Sequence, residues 1–286
     1  MSEQFALGLS REDANRTTGI EWTNHTWNPF VGCSVHTAGC TNCYAMNQAA
    51  NIGAEHYKGT VRVHNGKATW TGVLHQSPAH IINKPRKLKH KSMIFVNSMS
   101  DFFHDKAEYA WQLAAMRVIE GTPQHVYQIL TKRPEFIQNF LAQYKKPFPV
   151  NVWVGATMER HDYRWRIATL RDVPAQVRFL SLEPLVGPVK ELDLTGIGWV
   201  IIGGESGVGA RVMKYAWVRE AIDQCIEQGV PVFFKQWGIP ESNPLYGSGG
   251  ALNVRMNDPQ GKGGSLVDGK SYKQFPRGVQ AHEYQP

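Results

Sequence analysis

No apolar run in the chain approaches the roughly 18 residues of a membrane-spanning helix, which excludes a transmembrane protein of that kind. Met1 to Asn15 are polar and charged and lack the apolar core of a secretory signal, so a cytoplasmic location is expected. Cysteine is scarce as well. There are four in 286 residues, too few and too unevenly placed for a disulfide framework, and in a reducing compartment they read as metal ligands. Low-complexity linkers are absent before residue 240, so residues 1–18 form a lead-in, 19–240 one domain, and 241–286 a loop-rich tail.

The composition that remains suits a globular protein with a sizeable core: 42% hydrophobic and 11% aromatic residues. A formal charge of +7 and a pI near 9.2 favour polyanionic partners such as DNA, RNA or a nucleotide.

Three of the cysteines, Cys33, Cys40 and Cys43, lie in one stretch with C-x6-C-x2-C spacing. Thiolates on one loop converge on a soft metal or an iron–sulfur cluster, and three ligands leave a coordination position open for chemistry. His36 offers a second reading, a C-x2-H-x3-C-x2-C array able to close around structural zinc. Cys225 falls on the apolar stripe of a helix and reads as a small buried hydrophobe.

Along the chain, strand patterns alternate with helical ones. Strands are expected over Gly19–Trp27, Met93–Ser98, His125–Leu130, Asn151–Ala156, Val177–Leu182, Trp199–Ile202 and Val230–Phe234. Helices are expected over Tyr44–Asn51, from Pro78 with Ser77 as its cap, from Asp105 in a capping box with Glu108, from Pro134, over Arg160–Arg171, and over Ala216–Gln228. Residues 52–91 form an insertion, with a hairpin turning at Asn65-Gly66 and a basic end, Lys84 to Lys91, that is either a solvated helix terminus or a phosphate track. The alternation implies parallel βαβ units in an α/β fold, a partial or complete (β/α) barrel of six to seven units. An open doubly wound sheet is the alternative.

Working groups in such barrels sit at the C-terminal strand ends. Those ends carry Asn97, Ser98, Ser100 and Asp101; Thr131, Lys132 and Arg133; Thr157 and Glu159; Ser181 and Glu183; Glu205 and Ser206; and Lys235, Gln236 and Trp237. They form a polar rim around the cysteine loop. The segment Gly203-Gly204-Glu205-Ser206-Gly207 is either a backbone cradle for an anion or a tight turn leaving its strand.

The stretches Thr18–Thr23, Trp27-Asn28-Pro29, Gly32-Cys33, Gly39–Ala45, Leu130–Pro134, Ser181–Leu185 and Gly203–Gly207 together resemble an uncharacterised phage-associated family with a three-cysteine, radical-SAM-like motif. The wider resemblance is to radical S-adenosylmethionine enzymes. It implies that Cys33, Cys40 and Cys43 hold three irons of a [4Fe–4S] cluster whose fourth iron binds S-adenosylmethionine. One electron, delivered by a reductant protein, would then release a 5′-deoxyadenosyl radical to modify or repair a nucleic acid or nucleotide. On that reading Asn97, Ser98, Thr157, Gly203 and Gly204 face the cofactor, and Lys132, Arg133, Glu183 and Glu205 act on the substrate. The spacing departs from the superfamily's C-x3-C-x2-C, Asn42 replaces its usual aromatic, and Gly203-Gly204-Glu205 follows a later strand than the superfamily's equivalent. The rival function is a non-catalytic nucleic-acid-binding protein with structural zinc.

Overall fold

The computed structural model describes residues 18–246, 258 and 260–277. Its frame is a seven-stranded, wholly parallel sheet: β1 (His25–Trp27), β2 (Met93–Val96), β3 (Val126–Thr131), β4 (Val152–Thr157), β5 (Val177–Leu182), β6 (Trp199–Ile202) and β7 (Val232–Phe234). Each strand pairs with its neighbours in sequence, and the sheet curls into a half-barrel. Sequential order excludes the doubly wound alternative, which needs a reversal of strand order. The main helices are α1 (Tyr44–Asn51), α2 (Tyr109–Glu120), α3 (Ile137–Tyr144), α4 (Trp165–Arg171) and α5 (Tyr215–Glu227).

The strand sequences are apolar throughout because both faces are covered. Alternation sends Ile94, Val96, Val154, Leu180, Val200 and Ile202 towards the helices. Their neighbours Phe95, Trp153, Phe179, Trp199 and Phe233, joined by Trp22, fill the concave face. Edge-to-face ring contacts of 4.8 Å (Trp22–Phe95) and 5.9 Å (Trp153–Trp199), each worth about 1 kcal/mol beyond burial, make this interior a dry plug. Gly155 on β4 makes room for it, since a Cβ there would lie 2.5 Å from the Phe179 ring.

Residues 272–274 run antiparallel to β7, with Phe234 N–H donating to Tyr272 O (2.7 Å) and Gln274 N–H to Val232 O (3.1 Å). The exposed sheet edge is thereby paired. Near β1, the insertion folds as expected into a hairpin, Val61–His64 with Lys67–Trp70, turning at Asn65 and Gly66 with φ of 48° and 73°.

Two expected helix starts differ. Ser77 caps nothing; its hydroxyl donates to Asn28 O at 2.6 Å, and only one turn, Ala79–Ile82, follows before Pro85 interrupts. Asp105 does not cap α2, which begins at Tyr109; its carboxylate lies 3.7 Å from Arg133 Nε. In both cases a long-range polar partner competes for the capping side chain. On α5 Cys225 is wholly buried, as its place on the apolar stripe implies, while its neighbour Ile226 is 56% exposed.

Candidate functional site

The chain leaves β1 into the cysteine loop through a set of hydrogen bonds supplied by the end of β2. Asn97, in the left-handed region at φ 61°, donates from Nδ2 to Phe30 O (2.9 Å). Ser98 exchanges hydrogen bonds with Asn28, and Ser100 Oγ donates to Gly32 O (2.7 Å). Gly32 is at φ 94°, and a Cβ there would lie 2.1 Å from Val73 O, so only glycine fits. Beyond it, Cys40 is buried, with Cys33 and Cys43 packed against the same small core. Cys43 is the residue before α1, so the first helical N–H groups point towards its sulfur.

Burial pushes the Cys33 thiol up to about 12, Asp101 adds to the rise, and Arg133 opposes it; Cys40 and Cys43 contribute further upward pressure. Burial also raises Cys43, against the N–H groups of Ala45 and Met46. Free thiolates at Cys33 and Cys43 are therefore costly.

One cation stands beside them. Arg133 NH1 lies 4.0 Å from Cys33 Sγ and 3.1 Å from Asp101 Oδ2, and NH2 donates to Ser34 Oγ (2.7 Å). Asp101 also accepts from Thr131 Oγ1 (2.6 Å) and Lys132 N–H (3.1 Å), which holds the end of β3. Ser34 Oγ, His104 and Asp105 line up at 2.9 and 3.1 Å, the distances of a hydrolytic triad. The tautomer rules that chemistry out. Lys106 N–H donates to His104 Nδ1 (3.1 Å), so the proton sits on Nε2 and Ser34 accepts from the ring. Burial and the Arg133 charge take His104 down to about 4, keeping it neutral.

A second buried carboxylate pins the other side of the loop. Glu159, fully enclosed, accepts from Thr37 Oγ1 (2.5 Å), from Lys132 Nζ and from Arg166 NH1 (3.3 Å). Burial pushes its carboxyl up, but Lys132, Thr37 and Arg166 outweigh that and leave it below the ordinary value. Gly39 lies directly over it, where a Cβ would be 2.5 Å from Oε1.

Glu205 is also committed to structure. Arg211 grips it with NH2 on Oε1 (2.6 Å) and Nε on Oε2 (2.9 Å), while Asn42 Nδ2 donates to Oε2 (3.0 Å) and to Gly209 O (2.8 Å). Arg211 NH2 also reaches Ala38 O at 2.9 Å. The segment after β6 is thus fastened to the cysteine loop. Gly203 and Gly204 are matters of space: a Cβ would meet Glu183 Oε1 at 2.7 Å and Trp237 O at 1.9 Å. Glu183 pairs with Lys235 Nζ at 3.1 Å, and Thr157, buried, offers its carbonyl to Arg166 (2.6 Å).

The structure therefore brings Cys33, Cys40, Cys43, Lys132 and Arg133 together, with Glu205 held against the loop through Asn42 and Arg211. Asn97 and Ser98 sit beneath it as supports. His104, Arg166 and Arg211 left no trace in the sequence reading, since nothing local marks an arginine destined for a partner several elements away.

Among the described residues no three His, Cys, Asp or Glu side chains are gathered as a metal-holding set. His36 Nε2 faces Glu135 Oε1 at 3.9 Å, a pairing that does not serve a Cys3His array. The donor chemistry of the loop still fits a soft metal or an iron–sulfur cluster: three sulfurs, no competing carboxylate on the loop, low hydration and an adjacent arginine. A separate open cavity of roughly 610 Å³ lies at the N-terminal strand ends of β5 to β7, but its Arg178 and Arg277 donate to backbone carbonyls there.

No curated protein and no solved structure matches the chain. Residues 17–276 match the model of one family, described as a protein of unknown function, DUF5131, and the chain belongs to that family.

Proposed function

We propose that this DUF5131 protein is an iron–sulfur enzyme of the radical S-adenosylmethionine kind, acting on a nucleic acid or nucleotide. The observation that supports the reading is that Cys33, Cys40 and Cys43 pack against one small core on the loop after the first strand of a parallel half-barrel, with Arg133 NH1 4.0 Å from the Cys33 sulfur. Cys33, Cys40 and Cys43 would hold the cluster. When bound, it supplies single electrons for reductive cleavage of the sulfonium of S-adenosylmethionine.

The chain's own groups have separable tasks. Arg133, kept in place by Asp101, sets a positive charge beside the Cys33 sulfur and stabilises its anionic form. Glu159 and Lys132 hold the middle of the loop, and Arg211 with Glu205 holds its far side against the segment after β6. The aromatic plug beneath keeps water from approaching from below. The +7 charge supports a polyanionic substrate.

Anaerobic reconstitution tests the reading. The expected product is a brown protein with about four irons that cleaves S-adenosylmethionine under a strong reductant. Alanine at Cys33, Cys40 or Cys43 should remove both iron and cleavage. A colourless protein carrying zinc and inert towards S-adenosylmethionine would refute it and favour a zinc-stabilised binding protein.

A further inference from the structure

The positive charge of the chain is concentrated in one segment. Between residues 56 and 100 there is no Asp or Glu, while eight of the 31 Lys and Arg fall there, from Lys58 to Lys91. Outside it 23 basic residues stand against 24 acidic ones, a net of −1 where the whole chain has +7. The excess therefore belongs to the insertion between β1 and β2. The acids that border it do not cancel it. Glu55 pairs with Lys58 at 3.6 Å, both exposed, whereas Asp101 and Asp105 face Arg133 at 3.1 and 3.7 Å. Among the described residues the other seven cations have no carboxylate within 4.0 Å.

The hairpin of the insertion sorts its cations to one face. Its register sets Arg62 opposite Thr69 and His64 opposite Lys67, with Val61 opposite Trp70 and Val63 opposite Ala68. Paired residues share a face, and faces alternate along each strand. Val61, Ala68 and Trp70 accordingly pack into the small core behind the cysteine loop and α1. Arg62, His64, Lys67 and Thr69 make the opposite face, and residues 62–67 are exposed throughout. The base of this ribbon abuts the cysteine loop: Gly72 N–H donates to Cys33 O (3.0 Å), and a Cβ on Gly72 would lie 3.4 Å from Lys106 Nζ. Lys106, itself exposed, adds a cation there from outside the insertion.

Beyond the ribbon the chain runs along the flank of the sheet. Trp27 Nε1, at the end of β1, donates to Ile81 O (3.0 Å), and Pro85 O meets His125 Nε2 (3.2 Å) just ahead of β3. Lys84–Lys87 form a 3-10 turn, so the basic run is not the terminus of a long helix. Arg86 is committed to structure through Asn83 Oδ1 (3.2 Å) and Arg117 O (3.0 Å). Lys84, Lys87, Lys89 and Lys91 are exposed, with neither a hydrogen-bond nor a carboxylate partner among the described residues. Like charges held this close repel one another and gain from a polyanion that replaces their counter-ions.

We infer that the insertion docks double-stranded DNA, the outer face of the ribbon on phosphates beside the major groove and the Lys84–Lys91 run on the backbone farther along. Charge complementarity selects a polyanion. The ribbon selects a duplex, because single strands are held largely by stacking bases on aromatic rings, and its one large ring, Trp70, is turned inward and buried. A two-stranded ribbon fits the roughly 12 Å major groove of B-form DNA, whereas that of duplex RNA is too narrow to admit it. DNA seated on the ribbon passes beside the cysteine loop. The inference deepens the proposed function and rests on its polyanionic half, yet it needs neither iron nor S-adenosylmethionine.

The test is fluorescence anisotropy of the full chain as purified, with a short labelled DNA duplex, its single strand and the RNA duplex of the same sequence. Duplex DNA should bind most tightly. Arg62→Gln combined with Lys67→Gln should weaken it roughly 50-fold at about 0.1 M salt and flatten the salt slope by about two, since each phosphate contact contributes about 0.9 to that slope. Lys84→Gln with Lys87→Gln should act in the same sense and decides the matter if the first variant fails to fold. Lys190→Gln with Lys270→Gln removes the same charge from exposed sites outside the insertion and should leave the slope as in wild type. Equal weakening in that control would mean that net charge rather than the insertion holds the DNA, and it overturns the inference. So does binding unchanged in both insertion variants, or a wild-type protein that prefers the single strand or the RNA duplex, or binds none of the three. The readout needs no cluster, so a protein that binds duplex DNA in this way yet assembles no iron refutes only the proposed chemistry.

Discussion

Gly39→Ala isolates the packing between the cysteine loop and its buried carboxylate. Gly39 lies within the 3-10 turn Ala38–Cys40, outside the left-handed region, so its backbone would accept alanine. Considered alone, the change would stabilise the fold by about 0.4–1 kcal/mol through the unfolded state. Space decides otherwise. The new Cβ would lie 2.5 Å from Oε1, 2.6 Å from Cγ and 2.9 Å from Cδ of Glu159. A free surface glutamate would rotate away, but this one is held by Thr37, Lys132 and Arg166 and has no solvent to move into. Overpacking of this kind costs about 1–3 kcal/mol, which leaves a net loss of roughly 1–2 kcal/mol and a melting temperature lower by about 2–3 °C. Gly53→Ala is the reference, since its Cβ would have nothing within 4 Å. Scanning calorimetry of the two variants reads the difference. If Gly39→Ala melts at or above Gly53→Ala, Glu159 is not the rigid clamp described here.

Acid should loosen the same region. Both Glu159 and Glu205 titrate below the ordinary carboxylate value of 4.5, burial notwithstanding, because of their cationic and hydrogen-bonding partners. A depressed folded-state value means that their stabilisation is complete above 4.5 and lost as pH falls from there through the lower folded value, so urea midpoints should drop from about pH 5 downward. In Glu205→Gln that drop should be shallower. Arg211→Ala should free the segment after β6, giving faster subtilisin cleavage around Gly207–Gly209 than in wild type; an unchanged cleavage pattern would show that Asn42 alone suffices. Cys225→Ala, deep on α5, should cost about 1 kcal/mol in denaturant melts while leaving reconstituted iron content as in wild type.

Two of the site's buried carboxylates show why burial alone is a poor guide to role. Glu159 and Glu205 both sit on the polar rim where catalytic groups belong in a β/α barrel, yet each is saturated by arginine, lysine or backbone partners. Their effect on chemistry is exerted through the loop they hold. Glu183 differs, because its partners are one lysine on the far side of β6 and the Ser181 hydroxyl at 3.4 Å, with no arginine among them.

Local sequence was enough for the repeating architecture. Each strand is a short apolar run, each long helix carries its own apolar stripe, and these periodicities are properties of neighbouring residues; β5 and β6 were legible to the residue, as was α1. The cysteine spacing, the Asn65-Gly66 turn and the burial of Cys225 were equally local. What needed the folded chain was every pairing across distance. Arg211 meets a carbonyl 173 residues away on the cysteine loop, and Lys273 meets a glutamate 252 residues away just ahead of β1. The same holds for Ser77 and Asp105, whose local capping signals lost to distant partners, Asn28 O and Arg133. Hydrophobic period is written along the chain, whereas a charge finds its partner only after the sheet has curled and brought remote strand ends to one mouth.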